Sequence, residues 1–122
     1  MKLWIDDIRT PPDDTWHICR DVTSAIRALY MFWADVQEIN LDHDISHQVI
    51  VGGMSRPYPC TETFRAVAYY IDTLKMLHPE WWPKIRIHTS NWSGSHEMAQ
   101  ILRAFNPETV IAKGANRLET IL

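Results

Sequence analysis

Cysteine is scarce in this sequence. Two cysteines in 122 residues, Cys19 and Cys60, are too few for a disulfide scaffold and lack zinc-site spacing, which points to a reducing, cytoplasmic setting. A basic surplus is absent too: 12 Lys and Arg against 15 Asp and Glu give a net charge of -3. Broad binding to duplex nucleic acid needs a basic face, so the sequence argues against that class; a small nucleotide or the end of an RNA stays compatible. No apolar run approaches the ~20 residues of a membrane helix, and residues 1–6 carry no signal-peptide hydrophobic core. Repeats, low-complexity tracts and linkers are lacking as well. What is left is a single domain, residues 1–122, long enough to bury about two-thirds of its unfolded surface.

Within that domain short alternating segments take turns with helical ones. Residues 2–6, 16–20, 38–42, 84–88 and 109–112 read as strands. Apolar residues at helical spacing follow Asp21 or Thr23, Thr61 or Thr63, and Ser93 or Ser95 as caps, and residues 116–122 form a last short helix. Residues 45–60, with Gly52, Gly53, Pro57 and Pro59, read as a long irregular loop of the kind that serves as a lid. Strands alternating with helices predict an α/β fold with an open, mostly parallel five-stranded sheet. The link between the first two strands is too short for a crossover helix, so one sheet face is thinly covered. Lys2, Trp4, Asn40 and Arg86 share that face. Trp4 and Arg86 are expected to be partly exposed there, or covered by the C-terminal helix or a second copy, which offers a homodimer contact.

In such a sheet the ligand sits outside the carboxyl ends of the strands. Three strands end in polar clusters: Asp6-Asp7, Asp42-His43-Asp44 and His88-Thr89-Ser90-Asn91. Carboxylates crowded at one rim repel unless a cation joins them, and hard oxygen ligands suit Mg²⁺ or Mn²⁺. Thr89, Ser90 and Asn91 offer hydrogen bonds to a phosphoryl oxygen, and Lys113 and Arg9 offer charge. His43 and His88, near neutral pKa, suit proton transfer. The plainer readings are a solvated turn for Asp6-Asp7, an orienting hydrogen bond for His43, a satisfied strand-end residue for His88, and a surface lysine for Lys113.

The segments "LWIDDIR", "INLDHD" and "IRIHTSN" resemble the signatures of the cyclic-phosphate processing receiver-like domain, an atypical branch of the receivers of two-component signalling. The resemblance covers about residues 2 to 105. It implies a flavodoxin-like sheet of order 2-1-3-4-5 and a metal held by Asp6, Asp7 and Asp42, with the backbone carbonyl of Asp44 completing the shell. The receiver hydroxyl position falls on Thr89 and the lysine on Lys113, while His43 and His88 are what the atypical branch adds. After LDHD this chain departs from the family's compact Gly-rich turn, running instead through "ISHQVIVGGMSRPYPCTETF".

The function expected from these residues is a metal-dependent phosphoesterase acting on cyclic phosphates, such as 2′,3′-cyclic nucleotides or RNA ends. Its metal would activate water, with His43 and His88 as acid and base. Two other functions compete. One is a stand-alone receiver-like switch with Asp42 as phospho-acceptor; the other is a cyclic-nucleotide or protein binding module without turnover. A two-histidine phosphoesterase needs two H-x-S/T motifs, and only His88-Thr89-Ser90 qualifies.

Overall fold

The structure, a computed structural model, describes residues 1–45, 47–51, 54–58, 63–89 and 91–111. Strands β1 (Lys2–Ile5) and β2 (Trp16–Cys19) come first, followed by helix α1 (Val22–Phe32) and strand β3 (Glu38–Leu41). Then come β4 (His47–Val51), β5 (Met54–Tyr58), α2 (Arg65–Leu77), β6 (Lys84–Thr89), α3 (Trp92–Ile101) and β7 (Glu108–Ile111). Five strands form one parallel sheet in the order β2-β1-β3-β6-β7, which is 2-1-3-4-5 counted along the sheet's own strands. This is the receiver-like, flavodoxin-like α/β fold. Among the described residues no helix is long and apolar enough to cross a membrane.

The register explains the core. Leu3, Ile39 and Ile85 lie level across three strands, as do Ile5, Leu41 and Ile87, and all six are buried. They form one cluster with Ala25 and Leu29 of α1, Val67 and Ile71 of α2, and Met98 of α3. Since side chains alternate along a strand, the described helices all lie on one face.

The other face carries Trp4, Asn40 and Arg86, level with one another. No helix interrupts residues 6–15, as the short link predicted. Of the outcomes expected for Trp4, exposure is not the one found: it is fully buried. The link folds back so that the Arg9 carbonyl accepts the Trp4 indole N–H at 3.0 Å. The Trp16 ring meets Trp4 edge-on at 5.6 Å, and the His88 ring stacks on it at 4.7 Å. Its own chain therefore seals this indole, and no second copy is needed to cover it. Arg86 stays half-buried and pairs with Glu108 at 3.0 Å.

Three further expectations change. Residues 45–60 are not one irregular loop: within them β4 and β5 pair antiparallel, with His47 opposite Tyr58 and Val51 opposite Met54, while Gly52 and Gly53 lie outside the described residues. Pro57 misled the reading, yet a two-stranded ribbon is all edge, where proline is tolerated. Helix α3 is capped by Asn91, whose Oδ1 accepts from Gly94 N at 2.9 Å, rather than by Ser93 or Ser95. Helix α2 starts after Phe64 without a side-chain cap, although Thr63 Oγ1 accepts from Arg65 N at 3.2 Å. The predicted helix at 116–122 lies outside the described residues.

Candidate active site at the strand ends

Asp6, Asp42 and His88 each stand one residue past the level trio Ile5, Leu41 and Ile87. Asp6 N donates to Cys19 O at 3.1 Å and Asp42 N to Ile5 O at 2.9 Å, which carries the ladder one step beyond the strands and sets the acids side by side. Alternation turns all three toward the Trp4 face. His43 and Thr89, the next residues along, turn toward the helices. The two histidines thus occupy opposite sides of the rim.

On the Trp4 side the site is buried: Asp6, Arg9, Asp42 and His88 are each no more than 6% exposed. Asp6 Oδ1 accepts from the backbone of Ile8 at 2.9 Å and Arg9 at 3.0 Å. Its Oδ2 accepts from His88 Nε2 at 2.8 Å and pairs with Arg9 Nε at 3.0 Å. Asp42 Oδ1 accepts from His43 N at 2.8 Å and lies 3.1 Å from Arg9 Nη2. One guanidinium therefore spans two carboxylates. His88 is closed in, with Nδ1 against the Asn40 carboxamide oxygen.

These surroundings separate the two acids. Burial alone would raise the Asp6 carboxyl, but the His88 hydrogen bond, the Ile8 N–H and the Arg9 charge together hold it below its ordinary value. Asp42 is pushed up to about 8, by burial first and then by the negative charge of Asp6, against the pull of Arg9. Burial lowers His88, against the carboxylate beside it. Ligand atoms of Asp6, Asp42 and His88 lie within 4.8 Å of one another, close enough that these three residues could hold a small divalent cation. Asp7 is half-buried and lies outside that trio.

A stability prediction follows from Asp42. Between 3.8 and about 8 the folded protein holds a proton there that the unfolded chain releases, so stability falls as pH rises through that window and levels off above it. His88 works the opposite way below its ordinary 6.5, Asp6 titrates under 3.8, and the Cys19 thiol, pushed by burial from 9.0 to about 11, acts only above pH 9, which among the described residues leaves the range from about pH 7 to 8 to Asp42. In chelator, urea unfolding of the wild type should weaken from about pH 7 to 8 and then level off. Asp42→Asn should show no such fall, and parallel profiles for the two proteins would contradict the assignment.

On the helix side His43 forms a second assembly. Its Nδ1–H donates to Asp44 Oδ1 at 2.6 Å, and Asn91 Nδ2 donates to the same oxygen at 3.1 Å. The His43 Nε2 lies 3.6 Å from Glu97 Oε1, too long for a hydrogen bond. Arg65 Nη1 also lies 3.6 Å from that oxygen. The His43 ring rests on α3 at Gly94, where a Cβ would come within 2.5 Å of its Cγ and Nδ1. Thr89 is fully buried, and its Oγ1 accepts from Asn91 N at 3.1 Å.

The structure therefore gathers Asp6, Arg9, Asp42 and His88 in one cluster and His43, Asp44 and Asn91 in another. The Asp42–His43 hydrogen bond joins the two. Ser90 and Lys113 lie outside the described residues. Sequence reasoning gave no site role to Asn40, Gly94 or Glu97. Asn40, a polar residue two before Asp42 on a buried strand, and Gly94, a glycine inside a helix, carried signals that a contact was needed there.

Over residues 1–104 the chain matches the family model described as the cyclic-phosphate processing receiver domain. Searches of curated proteins and of solved structures found no match. With the three motif segments inside that span and the sheet in the order the resemblance implied, the chain belongs to the cyclic-phosphate processing receiver domain family.

Proposed function

We propose that this chain is a phosphoesterase that opens 2′,3′-cyclic phosphates of nucleotides or RNA ends, with Mg²⁺ or Mn²⁺ held by Asp6 and Asp42. One observation carries the reading: a buried acid pair with its guanidinium and an aspartate-held imidazole stand on the two sides of one strand-end rim, joined by the Asp42–His43 hydrogen bond. The family's link to cyclic-phosphate processing supports the substrate class. When bound, the cation would supply positive charge to the phosphoryl oxygens.

The chain's own residues divide the remaining work. Arg9 offers N–H donors to a phosphoryl oxygen. Asp44 and Asn91 fix the His43 ring, which leaves the Nε2 lone pair to take a proton from the attacking water. The water oxygen bonds to phosphorus and one ribose C–O–P bond breaks at the P–O link. The proton taken by His43 returns through solvent to the ribose oxygen released. His88, with both ring nitrogens engaged and 1% exposed, acts as a positioning residue that aims Asp6.

The phospho-acceptor reading needs an open Asp42, and that carboxylate is 1% exposed beside Arg9. Acetyl-phosphate labelling and cyclic-phosphate hydrolysis, run on one sample, separate the two readings. Turnover of the cyclic diester without a phosphoprotein is expected; a phosphorylated Asp42 without turnover would favour the switch.

A further inference from the structure

Arg9 is the most constrained and yet least satisfied side chain of the site. Its backbone is pinned on both sides, with N donating to Asp6 Oδ1 at 3.0 Å, and O accepting from Trp4 Nε1 at 3.0 Å and Arg20 Nη1 at 2.5 Å. Its guanidinium is 6% exposed and stands at ion-pair distance from Asp6 and Asp42. Even so, Nε, Nη1 and Nη2 make no directed hydrogen bond, and Nη1 has no ion-pair partner among the described residues. The contact is made by charge, not by aligned N–H bonds. Buried donors left in that state cost free energy, so a ligand that accepts from them is favoured.

The same guanidinium lies against two of the three groups that present ligand atoms within 4.8 Å of one another. A divalent cation entering that trio meets a like charge already in place, which opposes it. A phosphate changes the balance, because its oxygens accept well-aligned N–H bonds from a guanidinium better than two mismatched carboxylates do. The backbone stays fixed, so only the side chain has to turn.

We infer that Arg9 is a resident counter-cation of the acid pair and couples two ligands: a phosphate anion draws it off Asp6 and Asp42, and a divalent cation takes its place. The inference rests on the metal-assisted reading above and adds to it that cation and phosphate bind as a pair. Linkage makes the effect mutual: each ligand tightens the other by the same factor.

The test is titration of the intact chain with Mn²⁺, with and without inorganic phosphate, on the wild type and Arg9→Gln. Free Mn²⁺ is corrected for its own phosphate complex. Phosphate should tighten Mn²⁺ binding to the wild type by about 5-fold or more, the usual range of such coupling. Arg9→Gln should bind Mn²⁺ more tightly than the wild type in the absence of phosphate and lose most of the coupling. Its melting temperature should drop in chelator and recover with Mn²⁺. A second measurement does not depend on the variant folding: the Arg9 Nε–Hε resonance of the wild type should shift when Mg²⁺ and phosphate are added together. Coupling that persists in Arg9→Gln arises from direct metal–phosphate contact and overturns the inference, as does an unmoved resonance. Mn²⁺ binding indifferent to phosphate in the wild type overturns this inference alone; no Mn²⁺ binding in any arm removes the metal from the proposed function as well.

Discussion

His43→Ala is expected to slow cyclic-phosphate hydrolysis by about 10²-fold or more, since a positioned proton-transfer group typically contributes that much. Mn²⁺ affinity should barely change, because His43 lies on the helix side of the rim and is not one of the Asp6, Asp42 and His88 ligand trio. Gly94→Ala provides an independent route to the same loss. Alanine in a helix is normally favoured over glycine by about 1 kcal/mol. Here its Cβ would sit 2.5 Å from His43 Cγ and Nδ1 and 2.8 Å from Cδ2, so the ring must leave its place beside Asp44. The rate should fall with the fold intact. Adding Gly94→Ala to His43→Ala should restore the helix preference and raise stability, which a double-mutant cycle reads directly. Wild-type rates in both single variants would remove His43 from the reaction.

The strand-end chemistry was legible because the alternation of "LWIDD", "INLD" and "IRIH" sets one polar residue just past each inward apolar pair. A parallel sheet then brings those residues level. Order along the chain also identified the missing crossover. What could not be read was the direction in which neighbouring polar side chains turn. Asp42 and His43 are adjacent in sequence but face opposite sides of the sheet, so one shared rim for both histidines did not follow. Arg9 looked like a free hand for phosphate; only the fold of residues 6–15 tucks it between two acids while leaving Nη1 without a partner among the described residues. Trp4 read as half of an open face, because no sequence pattern announces that a distant Trp16 and His88 flank it. Cap choice failed for a related reason: Asn91, Ser93 and Ser95 all suit a helix start, and the tie to Asp44 favours Asn91.

Asp6→Ala should produce the largest stability loss of any single change in the site, about 3–5 kcal/mol, the usual cost of breaking a buried ion pair by removing one partner. The carboxylate is fully buried, accepts from three donors (two backbone N–H groups and the His88 ring) and pairs by charge with the Arg9 guanidinium. Without it the His88 Nε2–H loses its acceptor and Arg9 keeps only Asp42. Asp6→Asn keeps an oxygen for the backbone turn and should cost distinctly less. Urea unfolding in chelator measures both, with metal excluded so that stability and ion binding are not mixed. A loss under about 1 kcal/mol for Asp6→Ala would show that this cluster is wet and that its charges are screened.

The central claim is that the two clusters act together on a cyclic phosphodiester. Phosphorus NMR of a 2′,3′-cyclic nucleotide incubated with the wild-type chain tests it most directly, first with Mg²⁺ or Mn²⁺ and then in chelator. A cyclic-diester signal replaced by a phosphomonoester signal is expected with the cation, and little conversion without it. A cyclic signal that persists unchanged in the presence of either cation would contradict the account.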